Sequence, residues 1–179
     1  MGRPSVWRAG TCIKVYLVPL LIWLGLHISL AVSQHFLICE RVRWAYRVAE
    51  YNRSEIATIL LWYATPFSWL IIRPAADWRF LPIGFGLILS GNLLATWAMR
   101  CNPHCRPEII APPKVIRTGA YRVLNHPLYV GCVLQGIGSL LFLNNLLGVA
   151  PLAVYAGILW GRARREDAIL RSLYNGSNG

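Results

Sequence analysis

Charged residues are scarce in this sequence. Asp, Glu, Lys and Arg make up 14% of its 179 residues, and only seven residues are acidic. Soluble domains have about a quarter of their residues charged, so this composition excludes an ordinary soluble fold. Hydrophobic residues reach 56% and are clustered into blocks, which indicates a membrane protein.

Cysteines are few and odd in number. The five Cys argue against a disulfide framework, which needs pairs. Cys101, His104 and Cys105 supply at most three ligands of a zinc site, and no fourth ligand is obvious. We therefore predict neither a disulfide scaffold nor a metal centre.

Five apolar blocks follow one another along the chain. They cover Val15–Ser33, Ile56–Ile72, Phe80–Met99, Leu128–Leu143 and Leu146–Trp160. About 20 apolar residues span a bilayer as a helix, and backbone groups in lipid must be satisfied within the segment. The sequence predicts an all-α integral membrane protein of about five transmembrane helices, which forms a single domain over residues 1–179 and ends in a tight hairpin.

The basic residues are distributed unevenly between the two sides of such a protein. With five crossings, thirteen of the eighteen Lys and Arg fall on one side, together with the C-terminus. The positive-inside rule makes that side cytoplasmic. The net charge of +11 indicates contact with anionic membrane lipids. No nucleic-acid partner is expected, because the basic residues are spread over several loops without an aromatic strand pattern.

Polar and ionisable residues flank the predicted hairpin at both ends. Gly119-Ala-Tyr-Arg-Val-Leu-Asn-His-Pro-Leu-Tyr-Val-Gly131 precedes it, and Arg162-Ala-Arg-Arg-Glu-Asp167 follows it. Pro127 disfavours helix at His126 and suits the first helical turn, and Arg162 and Glu166 share a helical face. Because a two-helix excursion returns the chain to its starting side, both ends should meet at one ligand. Ionisable residues in membrane segments usually mark a functional site, so these two stretches are the candidate site.

This pattern resembles the isoprenylcysteine carboxyl methyltransferase family over about residues 100–173. Phospholipid and small-thiol methyltransferases of the same membrane superfamily are similar. The resemblance implies methyl transfer from S-adenosylmethionine, with cofactor-binding segments that flank the hairpin on the cytoplasmic side. It also implies a lipidic or prenylated acceptor, such as the carboxylate of an isoprenylcysteine, that enters from the bilayer.

The resemblance also implies roles for individual residues. Glu166 and Arg162 match the catalytic positions; Glu166 would hold the ribose or amine of the cofactor, and Arg162 would position the acceptor carboxylate. The stretch Lys114, Val115 and Ile116 is expected to be strand-like. With Glu166, the cofactor-binding residues implied are Lys114, Val115, Ile116, Tyr121, His126, Pro127, Leu128 and Tyr129.

Some positions depart from the family pattern. Asn125 stands where the family usually has Arg, and Asp167 replaces the second Glu of a pair. Arg164, Arg165 and Arg171 are interpreted as positive-inside residues.

Three alternative functions stay open: a phospholipid or small-thiol acceptor, a shortened non-catalytic membrane relative, and an NADPH-binding membrane reductase with a similar His-Pro-x-Tyr element.

Polar and small residues inside the apolar blocks should serve helix packing. His27 and Asn92 are predicted to join hydrogen bonds between helices. Gly84, Gly86 and Gly91 are predicted to permit close helix contact.

Overall fold

The computed structural model describes residues 17–29, 32, 60, 79–102 and 115–175, with side chains to residue 172. Every regular element in these ranges is helical. They are α1 (Leu17–Ser29), α2 (Leu81–Cys101), α3 (Ala120–Val123), α4 (Pro127–Leu143), a 3₁₀ turn (Leu146–Gly148) and α5 (Val149–Asn175). The predicted span 56–72, apart from Leu60, and the predicted site residue Lys114 lie outside the described residues, as do His104 and Cys105.

Two of the described helices are long and apolar enough to cross a membrane. They cover Leu81–Cys101 and Leu146–Ser172, the second counted from the 3₁₀ turn. The helices Leu17–Ser29 and Pro127–Leu143 are apolar but shorter. The described part is thus all-helical with two candidate membrane spans.

Paired glycines hold α2 and α4 together. Gly84 faces Gly138, and Gly91 faces Gly131, so the pairs lie seven residues apart on antiparallel helices. A Cβ on Gly91 would lie 2.5 Å from the carbonyl oxygen of Gly131, and one on Gly138 would lie 2.7 Å from that of Gly84. The two backbones therefore touch directly, as small residues allow in membranes. The prediction for Gly86 is not supported by the described part of the chain, where nothing lies within 4 Å of its Cβ position.

A buried polar cluster joins α1 to α4. The Trp23 indole nitrogen donates to the Ser139 hydroxyl at 2.8 Å, and His27 Nε2 lies 3.5 Å from the same oxygen. This agrees with the interhelical role predicted for His27. For Asn92 the prediction is not supported within the described residues, among which its buried side-chain oxygen has no hydrogen-bond partner.

The hairpin turn is set by two asparagines. Asn144 adopts the left-handed conformation at φ 47°, which Asn tolerates better than most residues. The Asn145 side chain then accepts a hydrogen bond from the Leu147 backbone at 3.2 Å. The chain reverses within this turn, so α4 and α5 run antiparallel.

Helix α5 is longer than the apolar block that predicted it. The fifth block ends at Trp160, but the helix runs without a break to Asn175. Arg, Glu, Ala and Leu are strong helix formers, so the helix continues where apolarity stops. Helix α5 contacts α4 much less extensively than α2 contacts α4. This leaves space between α4 and α5.

Candidate functional site

His126 is held in place by the start of α4. It is the residue before the helix, with φ −129° and ψ 64°, and Pro127 follows at the first helical position. Pro127 is fully buried, which anchors the backbone beside His126. The His126 and Tyr129 rings stack one turn apart, with centroids 5.7 Å from each other and planes 15° apart.

The far end of α5 meets these two rings. The Tyr129 hydroxyl donates a short hydrogen bond to Glu166 Oε1. His126 Nδ1 lies 3.5 Å from Glu166 Oε2, and His126 Nε2 lies 3.0 Å from Asp167 Oδ1. Residues about 40 positions apart in sequence thus form one cluster, in which the side chains of His126, Glu166 and Asp167 are 20%, 30% and 39% exposed.

Arg162 completes the cluster from the preceding turn of α5. Its guanidinium also hydrogen-bonds the Tyr129 hydroxyl. Because Arg162 and Glu166 share one helical face, as the spacing predicts, Tyr129 lies between a cation and an anion. We call this set the hairpin junction; its members are His126, Tyr129, Arg162, Glu166 and Asp167.

The junction favours the protonated form of His126. The hydrogen bond with Glu166 is the main cause that raises the pKa of His126 above its ordinary value of 6.5. Burial lowers this pKa, while the hydrogen bond with Asp167 and the charges of both carboxylates raise it further. The Asp167 contact is the shorter, but Asp167 is the more exposed of the two carboxylates. Protonated His126 can donate to both carboxylates at once.

A pH-dependent stability follows from the raised pKa of His126. Its contribution is fully present below pH 6.5 and is lost as the pH rises through the raised pKa. Between about pH 6 and pH 9, the melting temperature of the wild type should fall further than that of His126→Gln, because only the wild type loses this contribution. Thermal melts across this range measure the difference. An equal fall in both proteins would contradict this role of His126.

The loop before α4 is fixed against the end of α2. Gly119 has φ 59°, and a Cβ there would collide with the Cys101 sulfur. Glycine is therefore required both for the conformation and for the close approach to the Cys101 side chain. Two residues on, the Tyr121 hydroxyl accepts a hydrogen bond from the Asn102 amide at 3.4 Å.

The remaining predicted cofactor residues lie along this loop and the start of α4. Val115 and Ile116 are half-buried and belong to neither a helix nor an assigned strand. Leu128 is half-buried next to Pro127. In the part of the chain that the structure describes, no group of His, Cys, Asp and Glu is arranged to hold a metal ion.

A cleft of about 810 Å³ opens between α4 and α5. The part of the cleft toward the hairpin turn, which we call its inner part, is apolar and is lined by Val130, Val133, Leu134, Ala156, Leu159 and Trp160. Its mouth is polar and is lined by Asn125, His126, Tyr129, Arg164, Asp167 and Arg171. Neither Arg162 nor Glu166 lines the cleft. His126 and Tyr129 do, and both also contact Glu166, so these two rings form a wall between the cleft and Glu166.

Sequence reasoning missed three features of this site. Asp167 was noted only as a substitution within an acidic pair, yet it is the closest partner of His126. Asn102 was not singled out, although it contacts Tyr121. Arg164 and Arg171 were interpreted as surface charge, yet both line the cleft. Their spacing from Trp160 and Asp167, three or four residues at each step, is the signal that places them on one helical face.

Comparison with known proteins adds one finding. The family model described as phospholipid methyltransferase matches residues 80–177, which is more than half of the chain. The match contains α2, the loop before α4, the whole hairpin and every residue of the hairpin junction. No curated protein and no solved structure matches the chain significantly.

Proposed function

The chain belongs to the phospholipid methyltransferase family, and we propose that it methylates a lipidic acceptor with S-adenosylmethionine as the donor. Family membership and the two apolar helices make it a membrane methyltransferase. The finer proposal is that the acceptor is the carboxylate of an isoprenylcysteine or a similar lipid. The observation that supports methyl transfer at this site is the contact of His126 and Tyr129 with Glu166. This contact joins both ends of the hairpin in one partly exposed cluster.

The proposed topology has five membrane crossings in one domain over residues 1–179. The hairpin junction and the C-terminus would face the cytoplasm, where most of the Lys and Arg fall. The antiparallel course of α4 and α5 supports this arrangement, because their outer ends meet at His126 and Asp167. A donor from the cytoplasm and an acceptor from the bilayer would then reach the same place.

The junction fits a cationic cofactor. Glu166 and Asp167 are partly exposed, and a carboxylate can accept about four hydrogen bonds, so each keeps capacity beyond its contacts within the protein. When bound, S-adenosylmethionine supplies an electrophilic methyl group on a sulfonium. Glu166 would hold the amine or ribose, and the hydrogen bond from the Tyr129 hydroxyl orients Glu166. The other residues proposed to contact the cofactor are Lys114, Val115, Ile116, Tyr121, His126, Pro127 and Leu128.

The chain's own residues mainly need to position the two reactants. An acceptor carboxylate is already anionic and requires no general base, so alignment of donor and acceptor supplies most of the acceleration. Arg162 is a candidate to orient that carboxylate, because its guanidinium lies at the Tyr129 hydroxyl. The apolar part of the cleft matches a hydrocarbon chain, as expected of small-molecule sites.

An amine or thiol acceptor is the second candidate. The description of the matched family favours it, since its name refers to phospholipids. Such an acceptor must lose a proton, and His126, which contacts two carboxylates and lines the cleft, would be the group that receives it. A carboxylate acceptor would show no dependence on the protonation of His126 in the chemical step.

Ligand binding tests the proposal before any acceptor is known. We expect the purified full chain to bind S-adenosylmethionine with a dissociation constant in the micromolar range, about −8 kcal/mol, by titration calorimetry. His126→Ala should weaken this binding, whereas Arg165→Gln, a change at an exposed position outside the junction, should leave it unchanged. Binding of NADPH alone would favour a reductase, and binding of neither ligand would favour a non-catalytic relative; either result contradicts the proposal.

A further inference from the structure

The mouth of the α4–α5 cleft carries two cations that the proposed methyl transfer has not used. Arg164 and Arg171 both line it, two turns apart on the same face of α5. The Arg164 guanidinium lies over the Trp160 ring, 5.4 Å from its centroid, which holds it at the border between the apolar and polar parts. Arg162 faces the Tyr129 hydroxyl instead and does not line the cleft.

We infer that Arg164 and Arg171 position the headgroup anion of a single-chain carboxylate amphiphile in this cleft. The inference rests on the proposed function, since it assigns the acceptor end of that same site. The resemblance to the methyltransferase family implies that Arg162 positions the acceptor anion. We assign this role instead to Arg164 and Arg171, which are not part of that family pattern. In this assignment they are positioning residues, and Glu166 remains on the cofactor side of the His126–Tyr129 wall.

The polarity of the cleft changes along its length in the order that an amphiphile requires. From Asp167 to Ala156, α5 descends eleven residues, or about 17 Å, which is roughly half of a 30 Å hydrocarbon core. Val130, Val133 and Leu134 line the opposite wall, so the inner part offers only apolar contacts. A hydrocarbon chain in this part would leave its headgroup among the arginines at the mouth.

The charge of the mouth favours an anionic headgroup. Among the described lining residues, Arg164 and Arg171 contribute two positive charges and Asp167 one negative charge. With neutral His126 the sum is one positive charge, and with protonated His126 it is two. Glu166 adds negative charge behind the wall, and Arg162 and Arg165 add positive charge nearby. A carboxylate fits this balance, whereas Asp167 would repel the second charge of a phosphate monoester.

The opposing explanation is that these arginines only contact anionic lipid at the membrane surface. Arg165 separates the two explanations, because it is exposed, belongs to the same turn of α5 and does not line the cleft. General surface charge gives equal effects for Arg164→Gln and Arg165→Gln. A headgroup site gives an effect only for the arginines of the cleft.

The test compares two probes that differ in one charge. N-hexadecanoylglycine and its carboxamide share the same chain, and their binding to the full chain in uncharged nanodiscs can be measured by calorimetry. The wild type should bind the carboxylate about tenfold more tightly than the carboxamide, within the range of charged hydrogen bonds. The Arg164→Gln/Arg171→Gln double variant should lose this preference and keep its affinity for the carboxamide, and Arg165→Gln should behave like the wild type.

Several results would overturn the assignment. They are equal affinities of the wild type for the two probes, no binding of either, or a carboxylate preference that Arg165→Gln weakens as much as Arg164→Gln does. S-adenosylmethionine binding, measured on the same preparations, should be unchanged in the double variant. A wild type that does not bind S-adenosylmethionine but still prefers the carboxylate would contradict the proposed function but not the headgroup site. A wild type that binds S-adenosylmethionine but shows no carboxylate preference would contradict only the headgroup site.

Discussion

Replacement of Glu166 by Gln should raise the dissociation constant for S-adenosylmethionine at least tenfold and lower kcat/KM for methyl transfer about a hundredfold. Glu166 accepts from Tyr129 and contacts His126, so its negative charge organises both rings. A hydrogen bond to a charged group contributes about 1.5–3 kcal/mol, which corresponds to roughly 10–100-fold. Loss of the charge therefore weakens the junction and removes the anion proposed to face the cofactor.

Control variants separate this effect from simple unfolding. Tyr129→Phe removes only the hydroxyl that bridges Arg162 and Glu166, so it should lower kcat/KM by a smaller factor, about tenfold. Arg165→Gln alters charge on the same helix outside the junction and should have wild-type kinetics. Thermal melts should show that all three variants are folded at the assay temperature. A folded Glu166→Gln variant with kinetics within threefold of the wild type would refute the proposed role of Glu166.

Gly84→Ala should lower the melting temperature by about 10 °C, whereas Gly86→Ala should leave it unchanged or raise it slightly. A Cβ on Gly84 meets the backbone of Gly138 and Phe142, with the Gly138 oxygen at 2.7 Å, and backbone atoms cannot rotate out of the way. Overpacking of this kind costs typically 1–3 kcal/mol, occasionally more, and each kcal/mol shifts the melting temperature by about 2–4 °C.

Gly86 is a matched control on the same helix. Its Cβ would meet none of the described residues within 4 Å, and alanine favours a helix over glycine by about 1 kcal/mol. The two variants thus differ only in whether α2 touches α4 at the substituted residue. Thermal unfolding in detergent, followed by circular dichroism, measures both. Equal melting temperatures for the two variants would show that the glycine contact does not hold the helices together.

The two ends of the hairpin were predictable because local rules decide them. Pro127 disfavours the helical conformation at the preceding residue and suits the first position of a helix, so the helix begins after His126. The i, i+4 spacing of Arg162 and Glu166 places them on one face in any helix. A two-helix hairpin also returns the chain to the side of the membrane where it started. These rules together predict that His126, Tyr129 and Glu166 come together.

Other features depend on packing that a sequence does not display. Gly84 and Gly86 look equivalent, and only the rotation of α2 against α4 decides which one makes contact. The end of α5 lies far past the apolar block because helix propensity, not apolarity, sets its length. Arg162 and Arg164 are two residues apart and therefore face different directions. Which of them lines the cleft depends on how α5 is rotated against α4.

Methyl transfer itself tests the central claim most directly. The full chain in nanodiscs is incubated with methyl-labelled S-adenosylmethionine and, in separate samples, a prenylcysteine carboxylate, phosphatidylethanolamine or a small thiol. We predict that label enters the prenylcysteine as a base-labile methyl ester, and that Glu166→Gln slows this transfer about a hundredfold while Arg165→Gln preserves its rate. Label in none of the three acceptors, from protein that is folded, would contradict the assignment of this chain as a working membrane methyltransferase.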